Sequence, residues 1–253
     1  MPAKRCVSAT RCLRCNCAVL FARLFLQVLE ITDTTVFSLV LPSQPMKKLW
    51  DISPPVDARS PVFPGDTVYQ QHWSAHIGPD CPVNVSAITL SPHVGAHADA
   101  PLHYDPQGAS AGELDLTPYL GHCRVVHVLD TWPLVQPADL QHALQDLPPR
   151  LLLRTCRHFP SERFDPQLTA LAAETVHLLA DQGVQLIGID SASIDPADSK
   201  ALPSHQALRS RGMRVLENLC LDTVPPGDYE LIALPLKLMS ADASPVRAVL
   251  REL

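Results

Sequence analysis

Three histidines and an aspartate fall within eleven residues of this chain, in the run Ser91-Pro92-His93-Val94-Gly95-Ala96-His97-Ala98-Asp99-Ala100-Pro101-Leu102-His103. All four occupy odd positions. Side chains two apart on an extended chain share a face, so a strand here turns His93, His97 and Asp99 the same way, with Gly95 leaving space between them. A helix does worse. It aligns His93 with His97 but carries Asp99 off that face, and Gly95 and Pro101 weaken it. Two imidazoles and a carboxylate suit Zn²⁺, with Mn²⁺ or Fe²⁺ also possible. The two oxygens of an aspartate can bridge a pair of ions ~3.5–4 Å apart. Pro101 is expected to end the strand and leave His103 on the following loop, close to a substrate without being a ligand. A histidine alone is ordinarily a surface or core residue, and His72, His76, His122, His127, His142, His158 and His177 are read that way. Four ligand-type groups on one face are harder to explain as packing, because burying them unpaired is costly.

These residues need elements to hold them. Residues 51–66 read as an extended, proline-rich entry ending in the turn Phe63-Pro64-Gly65-Asp66. Strands are expected over 67–76, over the alternating segment 83–90, and over the apolar run 123–129. Leu151-Leu152-Leu153-Arg154 is a short apolar run. Asp165 then reads as a helix cap with Pro166 in the first turn. Leu168, Leu171, Ala172, Thr175, Leu178 and Leu179 follow at helical spacing, and Gly183 stops the helix. Val184–Ile189 is a second buried strand. That β-α-β order predicts two parallel strands with a helix across them. Tyr229–Leu236 and Val246–Leu250 add late strands. The expectation is a strand-rich α/β domain over about residues 46–253.

Composition narrows the class. Proline is frequent at 25 residues against 10 glycines, which favours strands and turns over a helix bundle. The net charge of −6 argues against a nucleic-acid partner, and no apolar stretch is long enough for a membrane span. The first 45 residues differ from the rest, with five basic and two acidic side chains and the cysteines Cys6, Cys12, Cys15 and Cys17. They suit a signal peptide poorly, because Arg23 interrupts the apolar run. Cys12-Cys15-Cys17 lacks a second ligand pair at zinc-finger spacing. We read 1–45 as an N-terminal extension outside the fold, with Met46 a natural start for the compact protein. Cys81, Cys123, Cys156 and Cys220 read as free thiols, as in a reducing cytoplasm.

The run His93–His103 resembles the H-x-G-T/A-H-x-D-x-P-x-H signature of the cyclase family of metal-dependent hydrolases. The likeness extends through Phe63-Pro64-Gly65-Asp66, Leu153-Arg154-Thr155-Cys156, Gly188–Asp195, Ser204-His205, Leu216-Glu217-Asn218-Leu219 and Leu234-Pro235-Leu236-Lys237. It covers residues 46–253 and points to the kynurenine formamidase (arylformamidase) branch. The resemblance implies a single swivelling α/β domain with a β-barrel-like mixed sheet and flanking helices, assembled as a homodimer. It implies two zinc ions per subunit, one on His93, His97 and Asp99, the other on Asp99, His205 and Glu217, with Asp99 bridging. It implies His103 as catalytic acid/base and Phe63 as a substrate-contacting aromatic. Relatives commonly carry Trp at Phe63 and Thr at Ala96, so an indole N–H and a hydroxyl are missing here. By themselves His205 and Glu217 read only as a helix-start histidine after Ser204 and a charge between apolar neighbours.

The implied reaction is hydrolysis of N-formyl-L-kynurenine to L-kynurenine and formate, a step of tryptophan breakdown. A related alternative is another amide hydrolase of the same family, acting on an isatin-type cyclic amide or a different N-formyl aryl amine. A metal-binding protein without turnover is a different class, and a histidine beyond the ligand cluster counts against it. A serine-hydrolase route lacks its G-x-S-x-G elbow.

Overall fold

The computed structural model describes residues 47–253, so the readings made of residues 1–45 and of Met46 lie outside it. Among the described residues the strands are β1 (Leu49–Asp51), β2 (Gln70–Ala75), β3 (Val85–Thr89), β4 (His97–Asp99), β5 (Leu120–His127), β6 (Leu134–Val135), β7 (Arg150–Arg154) and β8 (Ala170–Leu171). Helix α1 (Ala173–Asp181), β9 (Leu186–Ile189), α2 (Pro203–Arg211), β10 (Arg214–Glu217), β11 (Gly227–Ile232), β12 (Ala243–Pro245) and β13 (Val249–Arg251) follow.

Nine strands form one curled mixed sheet in the order β1-β13-β11-β5-β7-β9-β10-β4-β12. Its centre, β5-β7-β9-β10, is parallel, and both flanks are antiparallel. Parallel central strands are covered on both faces and read as continuous apolar runs. Accordingly, every residue of Leu151–Leu153 and Leu186–Ile189 is buried. One face packs Leu152, Leu186 and Leu216 with Tyr119 and Leu231. The other packs Leu151, Leu153, Ile187 and Val215 against Val176 and Leu179 of α1 and Leu208 of α2. The expected unit is present, with β7 and β9 parallel on either side of α1 in sequence. No helix among the described residues is long and apolar enough to cross a membrane.

One local expectation changes here. Helix α1 begins at Ala173, not beside Pro166. The intervening backbone is claimed by tertiary bonds: Ala170 N–H donates to Pro133 O, Leu171 N–H to Ile194 O and Ala172 N–H to Val135 O. The chain therefore stays extended through Ala172, and β8 pairs with β6. Asp165 caps only a turn, accepting from Gln167 N–H at 2.9 Å. Leu168 and Leu171 are buried as their type demands, but in an extended segment. The strand expected over 83–90 is present as β3, and it pairs only with β2, in a separate hairpin whose Trp73, Val85 and Ile88 are exposed.

Candidate active site

Strand β4 is the shortest element that matters most. It lies between β10 and β12, so its His97 is opposite Glu217 on one side and Pro245 on the other, while Asp99 is opposite Ala243. That pairing fixes where His97 and Asp99 leave the backbone. They share a face, as alternation requires, and their side chains are fully buried.

His93 arrives differently from the expectation. It is not on the strand but in a turn, where Val94 N–H donates to Ser91 O and Gly95 takes φ +68°. Only glycine adopts that left-handed geometry cheaply. A Cβ at Gly95 would also meet Val56 at 2.7 Å. The turn swings His93 back over the strand, and its Nδ1 comes 3.2 Å from Asp99 Oδ1. His103 likewise sits in a 3₁₀ turn, Pro101–His103, that Pro101 starts rather than a plain loop.

His205 and Glu217 come from elsewhere in the chain and converge on the same point. Ser204 is not the cap of α2. Leu202 holds that position, and the Ser204 hydroxyl donates to Leu171 O at 2.7 Å. The side chain of Asp195 instead accepts Ser204 N–H and His205 N–H at the start of α2. It also holds His205 Nδ1 at 2.6 Å, leaving Nε2 3.2 Å from Asp99 Oδ2. Glu217, at the end of β10, is buried rather than solvated. Its Oε1 accepts Ile194 N–H at 2.8 Å, and Oε2 faces His97 Nε2 at 3.3 Å. The structure thus brings His93, His97, Asp99, His205, Glu217 and His103 into one cluster.

The hydrogen bonds around the cluster point outward. His97 donates Nδ1–H to Gly95 O at 2.9 Å, and Asp195 holds His205 Nδ1. Their other ring nitrogens are left facing the carboxylates. Such outer partners fix the tautomer and aim of a metal-binding imidazole. Among the described residues, His97 Nε2 and Asp99 Oδ1 are buried with no hydrogen-bond partner. Orphaned inward atoms of this kind are what a cation site leaves when only protein is counted, so the residues fit a divalent metal. His93, His97 and Asp99 can converge ligand atoms on one position, and so can Asp99, His103 and His205.

Charge follows from this crowding. Burial disfavours the imidazolium of His97, but the Asp99 and Glu217 carboxylates beside it outweigh that and carry the pKa up to about 10. The same balance at His205, with Asp195 and Asp99 as partners, gives about 10. Burial alone would raise Asp99, yet the imidazoles of His205, His93 and His97 around it hold it well below the usual carboxylate range.

His93, His103, His205 and Glu217 of the cluster line a cavity of about 550 Å³ whose walls include Phe63, Phe164, Trp132 and Leu168. The Phe63 ring packs edge-on against Phe164, centroids 4.9 Å apart. Its turn is closed by Asp66 N–H donating to Phe63 O. The turn is tied to the histidine segment by Ser91 Oγ donating to Asp66 Oδ2 at 3.1 Å. His158, read from sequence as ordinary, also lines this cavity. Two acids without a role in the sequence reading also belong to the site. Asp195 closes the run Gly188–Asp195 and orients His205. Asp242 places Oδ2 3.0 Å from His93 Nε2 and 3.3 Å from His103 Nδ1. Its one sequence signal is an acid flanked by two alanines, Ala241 and Ala243, small enough to leave room around it.

Comparison with known proteins follows the same lines. A family model described as "Putative cyclase" matches residues 50–196. A kynurenine formamidase of Delftia acidovorans is 66% identical over 207 residues, covering 82% of this chain and 99% of that protein. One from Paracidovorax citrulli is 63% identical over 209 residues, covering 81% and 97%. A solved structure described as a predicted metal-dependent hydrolase from Bacillus stearothermophilus superposes with TM-score 0.70 at 28% identity, covering 82% of this chain and 99% of that one.

Proposed function

This chain belongs to the cyclase family, and from that premise we propose that it hydrolyses N-formyl-L-kynurenine to L-kynurenine and formate. The observation that carries the reading is the buried convergence of His97, Asp99, His205 and Glu217 beneath an aromatic-walled cavity. The names of the kynurenine formamidase relatives support the substrate.

We assign His93, His97 and Asp99 to one divalent ion and Asp99, His205 and Glu217 to a second, with zinc the metal that the mixed imidazole and carboxylate donors suit best. When bound, such ions supply Lewis acidity that yields hydroxide near neutral pH and stabilises negative charge developing on the formyl oxygen. The remaining work belongs to the chain. His103, about one-third exposed at the cavity floor, accepts a proton from the attacking water and returns one to the departing aryl nitrogen. Phe63 and Phe164 offer apolar faces to the aryl ring of the substrate. With Phe at position 63, packing is kept and no indole N–H is available. A homodimer in the cytoplasm completes the proposal. Leu236 and Met239 expose apolar surface that a second copy can cover, and Cys81, Cys123, Cys156 and Cys220 are free thiols suited to a reducing compartment.

The test is appearance of the free aryl amine on incubating the purified full chain with N-formyl-L-kynurenine, its N-acetyl analogue and isatin in turn. Preference for the formyl anilide is expected. Turnover of isatin alone would move the chain to the isatin-hydrolysing part of the family.

A further inference from the structure

One carboxylate oxygen serves two histidines of different duty. Asp242 Oδ2 lies 3.0 Å from His93 Nε2 and 3.3 Å from His103 Nδ1, and the two rings are 4.4 Å apart. A carboxylate only accepts, so each ring must donate an N–H to it. For His103 this selects the Nδ1–H tautomer and leaves Nε2 as the basic nitrogen. The acid is held by backbone, not by chance. Ala100 N–H donates to Asp242 O at 2.9 Å, and the next residue, Ala243, pairs with Asp99 across β12 and β4. The carboxylate is therefore registered against the strand that carries Asp99.

The two histidines depend on it unequally. His93 is mostly buried, and its other nitrogen lies against the Asp99 carboxylate at 3.2 Å. His103 is more open, and among the described residues Asp242 is its one side-chain hydrogen-bond partner. Removing the carboxylate thus frees His103 to rotate while His93 keeps a second anchor.

We propose that Asp242 is the positioning residue of His103: it fixes the tautomer and direction of the ring and faces the imidazolium that forms when His103 takes a proton. Asp242 lines the edge of the cavity, and in this proposal it acts through His103. The inference rests on the formamidase reading given above.

The experiment is a double-mutant cycle on the metal-loaded full chain, following formate release from N-formyl-L-kynurenine. Asp242→Ala is expected to lower kcat by ~10–100-fold, with KM within about twofold and metal per chain unchanged. In the His103→Ala background the same substitution should remove nothing further, because the partner through which it acts is gone. Asp242→Asn, which keeps size and one acceptor oxygen, should lose less than Asp242→Ala and carries the cycle if the alanine variant folds poorly. Equal losses with and without His103, or a loss of metal that accounts for the lost rate, would overturn the inference. So would wild-type kcat in both variants. An inert wild type toward N-formyl-L-kynurenine would instead sink the substrate reading, and the two failures are separately visible.

Discussion

His97 Nε2 and Asp99 Oδ1 face each other across 3.4 Å in the interior, and among the described residues neither has a hydrogen-bond partner. Leaving two buried polar atoms unmatched costs ~1–3 kcal/mol each. A cation between them removes that penalty, and Asp99 is the group that all three proposed histidine ligands meet: His93 at 3.2 Å, His97 at 3.4 Å and His205 at 3.2 Å.

Asp99→Ala should therefore abolish stoichiometric metal binding at both proposed positions, not at one. Elemental analysis of the purified variant checks it, with circular dichroism confirming the fold. A variant that retains two ions per chain would contradict the bridging role.

His103→Ala separates chemistry from ligation. We expect metal content and thermal midpoint to hold while kcat falls by ~10²–10⁴. Steady-state kinetics on the metal-loaded variant reads this, and an unchanged kcat would remove His103 from the acid/base role.

Metal uptake should depend on pH. In the metal-free site His97 and His205 have pKa values raised from 6.5 to about 10. Their protonated forms stabilise that metal-free fold below the unfolded value of 6.5, and the contribution is lost as pH rises through about 10. An imidazolium cannot ligate, so binding must expel these protons. Zinc affinity should tighten from about pH 6 to about pH 9, and calorimetry in two buffers of different ionisation enthalpy should show proton release at neutral pH. Affinity flat across that range, with no proton released, would go against it.

Legibility in the sequence follows the range of the forces involved. Parity along β4 is local, so the shared face of His97 and Asp99 could be read from spacing. The apolar runs of β7 and β9 and the helix between them carried the parallel unit in the same way. His93 joins the cluster through a φ of +68° at Gly95, which spacing does not encode. Helix α1 starts later than its spacing suggests because Ala170, Leu171 and Ala172 give their N–H groups to distant carbonyls. His205, Glu217, Asp195 and Asp242 reach the site through sheet register and the entry of α2. His205 and Glu217 stand out only through the family resemblance, Asp195 lies in a resembling run without a role, and Asp242 lies in none.

The most direct measurement is formate release from N-formyl-L-kynurenine by the full chain as purified, after exhaustive chelation, and after zinc is restored. The account predicts activity, its loss, and its recovery, with metal per chain following rate at each step. Full activity in a preparation shown to be metal-free would contradict it.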